Sequence, residues 1–323
     1  MKFSNTIFVT IFFFFITACQ STKEIQTPKQ EPVQDSTVAA IPFKPLTTEE
    51  KIASIADQYQ VKIGVAAKNL TNGKIITVNQ RERIPVTSML KVPILISYYQ
   101  AVSEGKIKST ASAKLTKQNK VGGSGMLQFM NDEYNILLSD AAKLTVISSD
   151  NTAANLILDA FGSNIEQQTG YVNQVMANYG FIDTKILNKF LRPDLKAETE
   201  DSKAFGVGYS TATDLAVLME KLYDGKVVSS EASFEILEIM RNSNDDTMSP
   251  RFMPLDDPSF SLAHRSGGTT RYKGDFGLLT YKGQAISFAV ICENLVDNKP
   301  TIENNGIIAA GLITKLIYEE LLK

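Results

Sequence analysis

Apolar residues recur along most of this chain at the three-to-four-residue spacing of an amphipathic helix, and only in two regions does the spacing fall to two. Thr47-x-x-Glu50 forms a capping box, and Ile52, Ile55, Ala56 and Tyr59 follow it at helical spacing, so a helix is expected to open the folded part at Thr47. Val61, Ile63, Val65 and Ala67 then alternate, Asn72-Gly73 offers a tight turn, and residues 75–78 return apolar, which predicts a hairpin. After Pro85 the helical period takes over, from Ser88 through Ile94, Leu95, Tyr98 and Tyr99, then in residues 139–148, 152–161, 213–223 and 231–240. Strand patterns resume only at 260–265, 276–281 and 286–291, and a last helix is predicted over about 303–322.

Helix, two strands, many helices, three strands, helix is not the alternation of a parallel α/β sheet. Short connections favour antiparallel neighbours, so the expected fold is α+β: a five-stranded antiparallel sheet flanked by the terminal helices, with an inserted all-helical subdomain. The helical part is placed at about 88–245, and the α/β part is built from 47–87 and 246–323.

The first 46 residues fall outside this plan. Lys2 precedes an apolar run from Ile7 to Ile16 that holds Phe12, Phe13, Phe14 and Phe15, with the length of a signal-peptide core and too short to span a bilayer comfortably. It ends in Ile16-Thr17-Ala18-Cys19, which resembles the bacterial lipoprotein signal and implies lipidation of Cys19, a membrane attachment through that lipid, and a place in the bacterial cell envelope facing the periplasm or exterior. Residues 20–46 are polar, with Pro28, Pro32, Pro42 and Pro45, and read as a tether.

Composition narrows the chemistry. Lys and Arg number 33 against 35 Asp and Glu, so no global charge draws the chain to nucleic acid. With Cys19 assigned to the signal, Cys292 has no partner for an intrachain bridge and reads as a buried strand thiol. His264 is the single histidine, which nearly excludes a His-based metal site and leaves one candidate for any Ser-His-Asp triad; strand alternation sets it on the opposite face from Arg265.

Candidate chemistry gathers at three places. In Ser88-Met89-Leu90-Lys91 a hydroxyl and an amine lie three residues apart on one helix face, a nucleophile beside its base. Alone the pattern is weak, since a chain of this length holds about one such pair by chance. Ser149-Asp150-Asn151 falls between two helices, where these residue types equally suit an N-cap. Arg265-Ser266-Gly267-Gly268 ends a predicted strand, where glycines often make a turn.

In this order the three resemble the S-x-x-K, S-D-N and K-T-G set of the penicillin-recognising serine enzymes, and the chain resembles their class A β-lactamase branch. Supporting stretches are Gly123-Ser124-Gly125-Met126-Leu127, the run from Ser149 to Asn155, and Ser210-Thr211-Ala212-Thr213-Asp214-Leu215-Ala216. The resemblance implies that Ser88 is the acylated nucleophile, Lys91 its proton acceptor, and Ser149 the relay to the leaving nitrogen. It implies that Asn151, Arg265, Ser266 and Gly267 bind substrate, Arg265 and Ser266 through its carboxylate and Gly267 by leaving room for the ligand. The N–H groups of Ser88 and Gly268 become the oxyanion hole. It implies no cofactor, a small β-lactam or peptidoglycan-like substrate, and a monomer.

One part of the pattern is missing. Class A enzymes carry a loop whose glutamate activates the deacylating water; here the corresponding residues are 184–195. Alignment on Thr184 brings Phe190 to that position, and alignment on Pro193 brings Arg192, neither of them a base. Asp194, Glu198, Glu200 and Asp201 are the remaining candidates. Three readings therefore stand: a β-lactamase working through a Ser88 acyl-enzyme, a D-Ala-D-Ala peptidase, transferase or other acyl hydrolase on the same fold, and a sensor that stays acylated.

Overall fold

Thr47 caps the first helix as its box predicts: its hydroxyl accepts from Glu50 N at 3.2 Å, while Glu50 Oε2 accepts from Thr47 N at 2.7 Å. The structure is a computed structural model and describes residues 45–322. The leader, Cys19 and the tether as far as residue 44 lie outside the described residues.

Helix α1 (Thr48–Tyr59) stops where Gln60 turns left-handed, and β1 (Val61–Asn69) and β2 (Ile75–Val78) form the expected hairpin with Gly73 at φ +78°. β3 (Ile84–Pro85) leads into a 3-10 turn, Ser88–Leu90, that runs on into α2 (Lys91–Ser103). β4 (Ser112–Lys114), β5 (Asn135–Leu137), α3 (Leu138–Ile147), α4 (Asn151–Asp159), α5 (Ile165–Asn178), β6 (Lys185–Ile186), α6 (Glu200–Phe205) and β7 (Gly208–Ser210) follow. α7 (Ala212–Tyr223) and α8 (Ser230–Arg241) complete the middle of the chain, and β8 (Phe260–Gly268), β9 (Tyr272–Tyr281), β10 (Gln284–Asn294) and α9 (Asn305–Leu321) close it.

The large sheet is antiparallel with strand order β2-β1-β10-β9-β8, so the N-terminal hairpin joins the C-terminal meander through β1 and β10. Val65 sits opposite both Val78 and Val290, and Ser266 sits opposite Asp275. Both sheet faces are covered, which is why β1 and β10 are buried almost end to end where an antiparallel strand with one wet face would alternate. Ile63, Val65, Phe288 and Val290 pack under α1 and α9; Ala66, Phe276, Leu278, Ala289 and Ile291 face the helical side.

Two expectations need correction. The middle of the chain is not all-helical: β3, β7 and β6 form a small three-stranded sheet, and β4 pairs with β5. These strands are only two or three residues long, below the length at which a period of two can be told from chance. Gly267 and Gly268 do not make a turn either. β8 continues through both, pairing them with Gly274 and Lys273 of β9. Among the described residues no helix is long and apolar enough to cross a membrane.

Candidate active site

Ser88 and Lys91 are brought together by the 3-10 turn. Residues three apart eclipse one another in that geometry, and Lys91 Nζ lies 3.3 Å from Ser88 Oγ. Lys91 is fully buried, yet its amine has a complete set of partners: it donates to Ser149 O and Asn151 Oδ1, both at 2.6 Å, and lies 3.1 Å from Ser149 Oγ. A neutral amine has two N–H donors and one lone pair. Two short bonds to pure acceptors use both donors and leave the lone pair for a hydroxyl proton. Burial, helped by the positive charge of Arg265, holds the Lys91 pKa well below that of a free lysine, against an opposing pull from Asp150. The side chain is therefore poised as a base.

The loop between α3 and α4 serves two purposes at once. Asp150 is the N-cap of α4, its Oδ1 accepting from Ala153 N at 2.9 Å, and its Oδ2 accepts from Leu127 N at 2.8 Å, tying down the neighbouring 123–127 loop. Ser149 takes the left-handed conformation at φ +54°, which turns its carbonyl and hydroxyl toward Lys91. Asn151 starts the helix and bridges Lys91 to the carbonyl of Gly122. Ser124 also donates to Ser149 O at 2.6 Å. The capping and the site-building roles of this triplet are thus compatible.

Ser88, Ser124, Ser149, Asp245, Arg265, Ser266, Gly267, Gly268 and Lys273 line one open cleft of about 550 Å³. β8 forms one wall and approaches the nucleophile closely. A Cβ at Gly267 would stand 2.8 Å from both Ser88 N and Met89 N, so this glycine makes room for the Ser88 turn. Arg265 borders the cleft but is only 3% exposed, and its Nε and Nη1 donate to Ser266 O and Val146 O at 2.9 and 2.8 Å. A guanidinium tied to backbone carbonyls cannot offer a two-pronged grip to a substrate carboxylate; it contributes a buried positive charge.

The position sought for a deacylating base holds an aromatic ring. Phe190 is buried with its ring centroid 4.6 Å from Lys91 Nζ, and Asn155 of α4 fixes its backbone from both sides, through Phe190 N and Phe190 O, each at 2.9 Å. The four candidate carboxylates are elsewhere. Asp194 is exposed and paired with Arg192, Glu200 is exposed and paired with Lys203, Glu198 and Asp201 are exposed, and none of them lines the cleft. The loop carrying them is turned outward by its own anchors, Asn188 to Ser202 Oγ and Gly206 O, and Lys189 to Asp159.

Other polar groups near the cleft escaped the sequence. Asp245 and Lys273 line it, the first from a polar run after α8 that reads as a plain linker, the second from a β9 register that only strand pairing reveals. His264 is buried in β8 with Nδ1 3.0 Å from Asp275 Oδ2 and does not line the cleft. Cys292 is buried and free, its thiol pushed up to about 12 by burial.

A family model described as "Beta-lactamase enzyme family" matches residues 47–321. A curated relative, the β-lactamase PSE-4 of Pseudomonas aeruginosa, is 30% identical over 127 residues, 39% of this chain and 44% of that protein. The chain thus spans less than half the length of that relative. Among solved structures, a β-lactamase from Sphaerobacter thermophilus superposes with a TM-score of 0.72 and 26% identity over 84% of this chain and 96% of its own. A mutant of PBP-A, an acyl-enzyme complex with penicillin G, superposes at 0.72 with 24% identity over 85% and 96%, a likeness of fold.

Proposed function

The chain belongs to the beta-lactamase enzyme family, and from that premise we propose that it is a serine enzyme acylated by β-lactams at Ser88 and slow to release the acyl group. The observation that carries the reading is the fully buried Lys91 amine 3.3 Å from Ser88 Oγ, with its pKa held well below that of free lysine. Lys91 takes the proton as Ser88 Oγ attacks the lactam carbonyl, and the N–H groups of Ser88 and Gly268 hold the oxyanion. The C–N bond then breaks, and Ser149 Oγ, 3.1 Å from Lys91 Nζ, passes the proton to the departing nitrogen while Asn151 orients the substrate amide. Ser266 faces the end of the cleft where the substrate carboxylate is expected.

Slow release is supported by Phe190. An ester is hydrolysed quickly only when a base positions and deprotonates a water, and a buried ring stands beside Lys91 where the family's glutamate was sought. Mixing with a chromogenic cephalosporin tests both halves. One equivalent of colour at saturating cephalosporin, a persistent adduct on Ser88 by mass spectrometry, and loss of both in Ser88→Ala are expected; Lys91→Ala should slow acylation by several powers of ten, on the order of what loss of a nucleophile's base costs. Absence of an adduct sinks the reading, and rapid multiple turnover sinks its second half. We also propose that Cys19 carries lipid and holds the protein in the bacterial envelope; incorporation of labelled fatty acid that survives Cys19→Ala would contradict this.

A further inference from the structure

The carboxylate end of the cleft already contains a carboxylate. Ser266 lies in β8 beside the nucleophile turn, and its hydroxyl donates to Asp245 Oδ2. A serine hydroxyl has a single proton to give, so the group expected to meet a substrate carboxylate is engaged by one from the protein itself. Asp245 is not a loose surface side chain that swings aside at no cost. Its Oδ1 accepts from Thr247 Oγ1 at 2.6 Å and from Thr247 N at 3.0 Å, it is partly buried, and it lines the cleft together with Ser266, Gly268 and Lys273. Although burial alone would raise its pKa, the bonds from Ser266 and Thr247 and the nearby Arg265 charge outweigh it and keep the acid below its ordinary range. It is anionic at neutral pH.

Two cations stand nearby: Arg265, whose Nε and Nη1 donate to Ser266 O and Val146 O, and the half-buried Lys273, whose pKa burial draws down. An anionic ligand reaching for Ser266 Oγ would have to take its proton from Asp245, leaving two carboxylates side by side in a partly desolvated site.

Resting on the acyl-enzyme reading of Ser88, we propose that Asp245 is a specificity-determining residue that fills the carboxylate end of the cleft and turns it against anionic acyl substrates, favouring those that present an uncharged or amine-bearing group there. Such a cleft accepts a simple penicillin poorly for reasons of charge and not of shape.

The test separates the subsite from the chemistry by working first in a Ser88→Ala background. Calorimetry compares benzylpenicillin with its uncharged methyl ester. Changing Asp245→Asn, which keeps the volume and can still accept from Thr247, should tighten binding of benzylpenicillin by about tenfold or more, through removal of one like charge near the bound anion, and leave the ester within about twofold. Asp245→Ala should act in the same direction, which excludes recruitment of the new amide as the cause. Unchanged ester binding reports that both variants are folded. Equal changes for acid and ester, no change for either, or no measurable penicillin binding by any of these proteins overturns the proposal. The same substitution in the Ser88 protein reads the acyl-enzyme assignment separately: a binding difference without any adduct on Ser88 leaves the subsite intact and removes the acylation reading.

Discussion

In the proposed reaction Lys91 and Phe190 set opposite limits. The amine is useful only when unprotonated, so acylation should fall as pH drops through the Lys91 pKa, and because burial and Arg265 depress that pKa the rising limb belongs well below 10.5. Replacing Phe190→Glu puts an anion where a ring now lies 4.6 Å from Nζ. An opposite charge at that distance favours the ammonium form, so the acylation limb should move to higher pH. The same carboxylate could activate water, and the adduct lifetime should shorten by about 100-fold or more. Pre-steady-state acylation across pH, with adduct decay followed by mass spectrometry, checks both. A wild-type limb at the ordinary lysine value, or an adduct no shorter-lived in the variant, contradicts the assignment. At this scale the sequence was legible where chemistry is local. Ser88 and Lys91 share a turn and Ser149 and Asn151 share a cap, whereas Phe190 is fixed by Asn155 35 positions earlier in the chain, and Asp245 by Ser266 21 positions later. No spacing rule reads contacts of that kind.

Elements matter here through how closely they approach. β8 passes the Ser88 turn at a separation only a glycine permits, since a Cβ at Gly267 meets two backbone nitrogens that cannot rotate away as a flexible side chain would. Gly267→Ala should therefore displace the turn from the strand, with a loss of about 1–3 kcal/mol from overpacking and a fall in acylation rate of about 10- to 100-fold from misplacement of the nucleophile. Gly170 in α5 is the matched control. Its Cβ would meet nothing within 4 Å, so Gly170→Ala should gain about 0.5–1 kcal/mol from helix propensity and leave acylation unchanged. Thermal melts and acylation rates of the two proteins would decide the matter; equal behaviour denies β8 its role in setting the site. The contrast explains why a glycine pair after Arg265 reads as a turn in sequence. The period-two signal ends when side chains end, although backbone pairing of Gly267 with Gly274 continues the strand.

Over the described residues one sheet joins two cores, and the candidate site sits at its β8 edge. In β10, Phe288 points under α1 and α9, and its neighbour Ala289 points to the helical side that carries Lys91 and Ser149. The terminal helices and the longer strands of the large sheet were legible from their apolar period, and the four-residue β2 from the Asn72-Gly73 turn before it, while α5, rich in Gln and Asn, and the six-residue polar α6 carry too little apolar signal to stand out. Their positions come from packing, and so does the coupling between the two sides. A cavity under the terminal helices should consequently be felt at the cleft. Phe288→Ala removes a fully buried ring far from Ser88 and should cost about 3–5 kcal/mol. If the sheet makes the two cores one cooperative unit, unfolding followed by circular dichroism and loss of Ser88 acylation should shift together to lower denaturant, with acylation under native conditions unaffected. Two separated transitions, with acylation surviving after the terminal helices have melted, would show instead that the helical side holds the site without the sheet's other face.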